Sequence, residues 1–88
     1  MTNATKKAQL TTSKPVNKLH IGLMYATVWQ RITAEGTFYS VSFERRYRDS
    51  EGNWKSTHSY NAEDLLALAK LADRAHTEIS NFRAAGSR

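Results

Sequence analysis

The sequence predicts a small α+β domain in which an antiparallel β-meander of three strands, or four, precedes one long C-terminal helix. Two observations predict this order. Residues 18–60 contain alternating β-branched and aromatic side chains, in runs separated by Gly-containing turns. Residues 62–82 instead repeat apolar side chains at intervals of three and four. Eighty-eight residues are enough for one domain with a thin core.

The first predicted strand covers residues 18–32, where no helix signal interrupts the β-formers. Gly36 marks the turn that follows. The second strand, 38–48, has the clearest alternation, and a turn at 49–53 leads to a third strand at 54–60. We expect one side of the second strand to begin in the core and the other to be solvated. The first set is Tyr39, Val41, Phe43, Arg45 and Tyr47, and the second is Phe38, Ser40, Ser42, Glu44, Arg46 and Arg48.

The helix is predicted to begin after Asn61, a favoured N-cap residue, and to run to about Phe82. Its apolar stripe is wider than three short strands need, and its spacing also suits paired helices. Packing on the chain's own sheet accounts for part of this stripe. We expect the rest to form a homodimer interface. The predicted interface residues are Leu65, Leu68, Ala72, Ala75, Ile79 and Phe82.

The domain is therefore predicted to span residues 18–83, between a disordered basic tail at 1–17 and a flexible end at 84–88. The tail has three lysines and no acidic residue. The whole chain has a net charge of +5, which favours polyanionic partners, although solubility explains such a balance equally well.

The sequence predicts a cytoplasmic protein with no membrane contact. It has no apolar run of about 18 residues, and its first ten residues lack the apolar core of a secretory signal. It also has no cysteine, which excludes disulfides and thiolate metal sites.

Catalytic signatures are absent from the sequence. It contains no nucleophile elbow, phosphate-binding loop or zinc-protease motif, and its histidines, His20, His58 and His76, are far apart. We therefore expect no enzyme activity, no metal, no cofactor and no small-molecule substrate.

The pattern that does indicate a function combines basic and aromatic residues. If a hairpin joins the second and third strands, cationic side chains gather near Tyr47 and Trp54 at one end of the sheet. Single-stranded nucleic acid is held by cations on phosphates and by rings under bases. Either ring could instead belong to the core. The predicted nucleic-acid contacts are Arg45, Arg46, Arg48, Trp54 and Lys55.

Residues 44–55 and 59–66 together resemble the single-stranded-DNA-binding transcriptional coactivator family of the positive-cofactor type, whose architecture is similar to that of the Whirly proteins. The likeness lies in an Arg-aromatic-Asp-x-Glu-Gly-x-x-Lys turn and in a Ser-x-Asn-x-Glu segment leading into the helix. These motifs match Arg45 or Arg46, Tyr47, Asp49, Glu51, Gly52, Lys55, Ser59, Asn61 and Glu63. The family's Gly- and Lys-rich piece before its last strand is replaced here by 56–58. The resemblance implies a helix-joined homodimer whose curved sheets bind single strands.

The leading hypothesis is therefore a protein that binds single-stranded DNA or RNA with little sequence preference. The alternative is a protein-interaction module with no nucleic-acid role, in which the helix stripe and an exposed strand edge would dock a partner.

Overall fold

The computed structural model describes residues 12–86, in which four antiparallel strands form a meander and one C-terminal helix follows. The α+β class and the element order are thus as the sequence predicts. The strands are β1 (Thr12–Ile21), β2 (Met24–Thr33), β3 (Gly36–Arg48) and β4 (Trp54–Thr57). A short 3-10 turn, Ala62–Asp64, precedes the helix α1 (Leu65–Gly86).

The predicted single strand over residues 18–32 is wrong, because the chain reverses at Gly22 and Leu23. Gly22 has a φ of +58°, which an L side chain rarely adopts, and a two-residue turn there joins β1 to β2. Ile21 and Met24 pair across this turn and so share a face of the sheet. The turn therefore shifts the alternation, and Tyr25 lies on the face opposite Leu19 and Ile21.

The predicted tail at 1–17 also extends too far. β1 begins at Thr12, and its first residues pair with the distal half of β2, while residues 1–11 lie outside the described part of the chain. The register slips between Pro15 and Asn17, which marks a β-bulge. β1 is an edge strand, and prolines within sheets are confined largely to edge strands and bulges.

The helix packs on one face of the sheet and forms the core with it. Alternate residues of β2, at 24, 26 and 28, meet Leu71 and Ala75 from the middle of α1, and Leu19 of β1 completes the buried cluster. The described chain measures only 17 Å in its thinnest direction. Within residues 12–86, no element covers the other face of the sheet.

β4 ends at Thr57 rather than at the predicted Tyr60. Beyond Thr57, side chains rather than backbone groups form hydrogen bonds to β3. His58 Nδ1 and the Tyr60 hydroxyl both lie within hydrogen-bond distance of the Phe43 carbonyl oxygen, at 2.9 and 2.8 Å. Burial raises the pKa of Tyr60 above 10.0, and the nearby charge of Glu44 adds to this effect. His58 and Tyr60 thus cover the Phe43 carbonyl at the edge of β3, in the segment between β4 and the helix.

Asn61 occupies the N-cap position predicted for it, and its backbone N–H donates to Asp64 Oδ2 at 2.8 Å. The helix continues to Gly86, beyond the predicted domain end at residue 83, so residues 84–86 belong to the helix rather than to a flexible end. Residues 87–88 lie outside the described chain.

Four of the six predicted dimer-interface residues pack inside the chain. Ala75 is buried, and Leu68, Ile79 and Phe82 contact the same core cluster. Leu65 and Ala72 remain exposed on α1. The helix-mediated homodimer stays a prediction, and a partner would meet a narrower stripe than the sequence predicted.

Candidate nucleic-acid interface

The face of the sheet opposite α1 is here called the open face. Its members follow from the register, because directly paired residues of antiparallel strands point to the same side. The helix-facing residues of β2 are Met24, Ala26 and Val28, so the intervening residues and their partners form the open face. Its charged and ring-bearing members are Lys18, His20, Tyr25, Trp29, Arg31, Phe38, Glu44, Arg46, Arg48 and Trp54.

One end of the open face presents Arg48 beside Trp54. The two residues pair across β3 and β4, and the Arg48 guanidinium carbon lies 5.3 Å from the centroid of the Trp54 ring. This distance allows a cation–π contact. Trp54 is nonetheless 59% exposed, so much of its ring is available to a ligand.

The turn between β3 and β4 fixes this end of the sheet. Asp49 Oδ1 accepts hydrogen bonds from the amides of Glu51 and Asn53, both at 2.9 Å. The Arg48 guanidinium donates to the Gly52 carbonyl, and Gly52 has a φ of +84° that suits glycine. The backbone hydrogen bond from Asn53, the largest influence, lowers the pKa of Asp49 below 3.8.

Next along β3, the Arg46 guanidinium lies against Tyr25. Its central carbon is 4.1 Å from the Tyr25 ring centroid, and the His20 ring stacks on Tyr25 at 5.1 Å. Arg46 Nε is also 3.3 Å from Glu44 Oε2, in a partly exposed ion pair. A phosphate would compete with Glu44 for this guanidinium. We call Arg46, Arg48 and Trp54 the near cluster.

A shallow depression of about 340 Å³ lies beside the near cluster. It is bounded by a ring, a guanidinium, a carboxylate and a hydroxyl, which together suit a polar, flat ligand better than an apolar one. The lining residues are Glu44, Arg46, Trp54, Lys55 and Ser56.

A second group occupies the other end of the open face. The Arg31 guanidinium carbon lies 5.2 Å from the Phe38 ring centroid, and these residues pair across β2 and β3. Trp29 Nε1 donates to Ser42 Oγ at 2.9 Å, which fixes the indole on the sheet. We call Trp29, Arg31 and Phe38 the far cluster.

Two of the five predicted contact residues lie outside the open face. Arg45 Nε is 2.9 Å from Asp64 Oδ2, but its N–H is not aligned for a hydrogen bond, so the contact is ionic. This pair ties β3 to the start of α1. Lys55 Nζ lies 3.6 Å from Asp49 Oδ2, although Lys55 also lines the depression. Arg46, Arg48 and Trp54 are therefore the predicted residues that the fold brings together.

Sequence reasoning missed the open-face residues of β2 and the ring at the start of β3. The missed residues are Tyr25, Trp29, Arg31 and Phe38. The signal for the first three was the tight turn before Gly36, because pairing Thr33 with Gly36 puts them on the same face as Arg46. Phe38 was assigned to the solvated side, and it is 43% exposed there, but it was not treated as a contact residue.

The strand residues of the open face carry four cationic side chains against one carboxylate. This balance and the exposed rings suit a ligand with both phosphates and aromatic bases. Among residues 12–86, no three His, Cys, Asp or Glu side chains gather as metal ligands would.

No helix within the described range is long and apolar enough to cross a bilayer. Comparison with known proteins found no matching family model, no matching curated protein and no matching solved structure.

Proposed function

We propose that this protein binds single-stranded DNA or RNA through the open face of its sheet, with little sequence preference. The observation that carries the proposal is the near cluster. The Trp54 indole on β4 is exposed and lies beside the Arg48 guanidinium of β3, and Arg46 occupies the adjacent open-face position of β3. The proposed protein needs no cofactor and acts in the cytoplasm.

The physical basis is a division of labour between charge and stacking. Arg46 and Arg48 can pair with successive phosphates, and each neutralised phosphate releases counterions. Trp54 can stack under a base, which is worth about 1–3 kcal/mol per base and is nearly independent of base identity. Both contacts are nearly independent of base sequence, because every nucleotide has a phosphate and a base with a π-face.

Pre-ordering of the arginines supports the same function. The Gly52 carbonyl holds Arg48, and the Tyr25 ring lies under Arg46. A side chain that is already oriented loses less rotamer entropy when a ligand binds. The exposed edge of the near cluster thus has the features of a binding surface rather than of a solvated strand.

The alternative function is a protein-interaction module, and the helix favours it. Leu66 is 81% exposed and Leu65 is 53% exposed on the first turns of α1. An amphipathic groove on a partner could cover these side chains. They lie on an element that packs against the sheet face opposite the near cluster, so variants can separate the two functions.

The test is fluorescence anisotropy with labelled dT12 at 50 and 200 mM salt. We expect binding that weakens with salt, and Trp54→Ala should weaken it about 5- to 150-fold, the range that follows from one lost stacking contact. Leu66→Ala is the matched control, because it removes another exposed apolar side chain from the opposite side of the molecule.

Absence of binding at micromolar protein and low salt would refute the proposal and favour the interaction module. Equal losses in Trp54→Ala and Leu66→Ala would also contradict it, since the loss would then not depend on the near cluster.

A further inference from the structure

The far cluster repeats the chemistry of the near cluster at the other end of β3. In each, a guanidinium lies over a ring that is substantially exposed: Arg48 over Trp54, and Arg31 over Phe38. Both pairs are cross-strand neighbours, so the sheet itself sets their geometry. The near cluster alone does not account for the second pair.

The two clusters lie on the same face. Arg31 and Phe38 are directly paired, and Arg48 lies ten positions after Phe38, an even spacing, on one uninterrupted strand. Side chains at even spacing point to the same side. With a rise of about 3.4 Å per residue, the spacing of ten residues places Arg48 and its partner Trp54 about 34 Å from Phe38 and its partner Arg31.

The part of the open face between the two clusters is suited to binding a nucleic-acid backbone. Ser40 and Ser42 of β3 and Lys18 of β1 belong to the open face there and offer hydroxyls and a cation. Glu44 is the one carboxylate on the described open-face strands, and Arg46 pairs with it. A strand that ran along β3 would therefore meet donors for most of its length.

We infer that the far cluster is a second contact site for the same nucleic-acid strand, which runs lengthwise along β3 from Trp54 to Phe38. This inference rests on the proposed function and extends it, because it sets the direction of the strand and the length of oligonucleotide that the protein binds best. Phe38 stacks on a base and Arg31 pairs with a phosphate.

The inference predicts a length dependence. A stacked single strand advances about 3.4 Å per nucleotide, so dT12 covers about 41 Å and reaches both clusters. dT4 covers about 14 Å when stacked, and even twice that extension does not reach from Trp54 to Phe38. Two linked contacts act as one bivalent ligand, so dT12 should bind at least tenfold more tightly than dT4.

The experiment measures the ratio of the dT4 and dT12 dissociation constants by anisotropy, for the wild type, Phe38→Ala and Arg31→Gln. Each variant should lower the ratio at least fivefold by weakening dT12. Ile32→Ala is the matched control, because Ile32 is as exposed as Phe38, at 44%, but belongs to the helix-facing row of β2. It should leave the ratio unchanged.

Salt dependence gives a second, independent readout. Loss of one phosphate contact should reduce the slope of log affinity against log salt for dT12 by about 0.7 in Arg31→Gln. Circular dichroism of each variant would establish that the fold is retained, which we expect because Arg31 and Phe38 are exposed.

Equal affinities for dT4 and dT12, or a Phe38→Ala variant that behaves as Ile32→Ala does, would overturn the inference. Binding that still depended on Trp54 would then leave the proposed function standing. Failure of the wild type to bind either oligonucleotide would instead refute the proposed function.

Discussion

At the scale of single residues, the neighbours Arg45 and Arg46 differ in almost everything but their charge. Strand alternation directs Arg45 toward the 3-10 turn before α1, where it pairs with Asp64, and Arg46 toward the open face, where it lies on Tyr25. Both were predicted as nucleic-acid contacts, because the Arg-Arg-x-Arg run does not by itself show toward which face of the sheet each side chain points. Their different surroundings predict different roles.

Arg45→Gln should lower the free energy of unfolding by about 1–3 kcal/mol, the usual effect of losing a partly buried charged contact. It should leave dT12 binding by the folded protein unchanged. Arg46→Gln should weaken dT12 binding and leave the free energy of unfolding nearly unchanged. Its ion pair with Glu44 is more exposed and contributes little to stability. Urea unfolding and anisotropy on both variants check this, and a binding loss confined to Arg45→Gln would contradict it.

Asp49 gives the turn between β3 and β4 a predictable response to acid. Its pKa is lowered in the folded protein, chiefly by the Asn53 amide, so its contribution to stability is present above about 3.8, the ordinary value. That contribution is lost as the pH falls through the folded value. Asp49→Asn should therefore be less stable than the wild type at pH 6, and the difference should shrink at pH 3.

Urea midpoints at the two pH values would measure this difference. Glu51→Gln is the control, since it removes a neighbouring carboxylate whose side chain makes no hydrogen bond that holds the turn. A difference between Asp49→Asn and the wild type that stayed constant with pH would show that the Asp49 charge does not hold the turn.

At the scale of the elements, the sequence predicts strands well where apolar and polar residues alternate cleanly. β3 was predicted over 38–48 and spans Gly36–Arg48, with Phe43 toward the helix and Ser42 away from it, as expected. The β1–β2 hairpin was missed because apolar residues flank Gly22 on both sides. No Asn-Gly or Asp-Gly pair marks that turn, so a bulge in one long strand explained the glycine as well.

Gly22→Ala should destabilise the protein by about 1–2 kcal/mol, because alanine at this positive φ brings its Cβ close to its own backbone. Beyond the two adjacent residues, no heavy atom lies within 4 Å of the added Cβ, so the loss would come from the local backbone alone. Gly22→Asn should lose less, since asparagine tolerates such turns. Equal stability of Gly22→Ala and the wild type in urea would contradict the turn geometry.

At the scale of the whole molecule as described over residues 12–86, a single helix covers one side of a four-stranded sheet, and no other element covers the opposite side. The sequence predicted the class, the element order and the presence of a basic, aromatic patch. It could not predict which rings share the open face, because that depends on the register of β2 against β3 and of β3 against β4. Trp29 and Phe38 are close only after β2 and β3 pair.

The same arrangement limits how a homodimer could form. Leu68 packs against the core, so Leu68→Asp would unfold the chain rather than separate two copies. Leu65 is the informative position, because it belongs to the predicted interface and is exposed. If the homodimer exists, Leu65→Asp should convert it to a monomer in sedimentation velocity experiments.

Leu66→Asp is the control for that experiment, since it places the same charge about 100° further round the helix. If the wild-type protein sediments as a monomer at micromolar concentration, the prediction of a homodimer is wrong. It would leave the open face unaffected, because none of the near-cluster residues belongs to α1.

The most direct test of the open face as the binding surface is a titration of 15N-labelled protein with dT12, followed by NMR. We predict that the largest shifts occur at the indole N–H of Trp54 and at the Nε–H of Arg46 and Arg48, while the amides of residues 66–74 on α1 stay unchanged. Shifts concentrated on α1, with the Trp54 indole signal unmoved, would contradict the proposed interface.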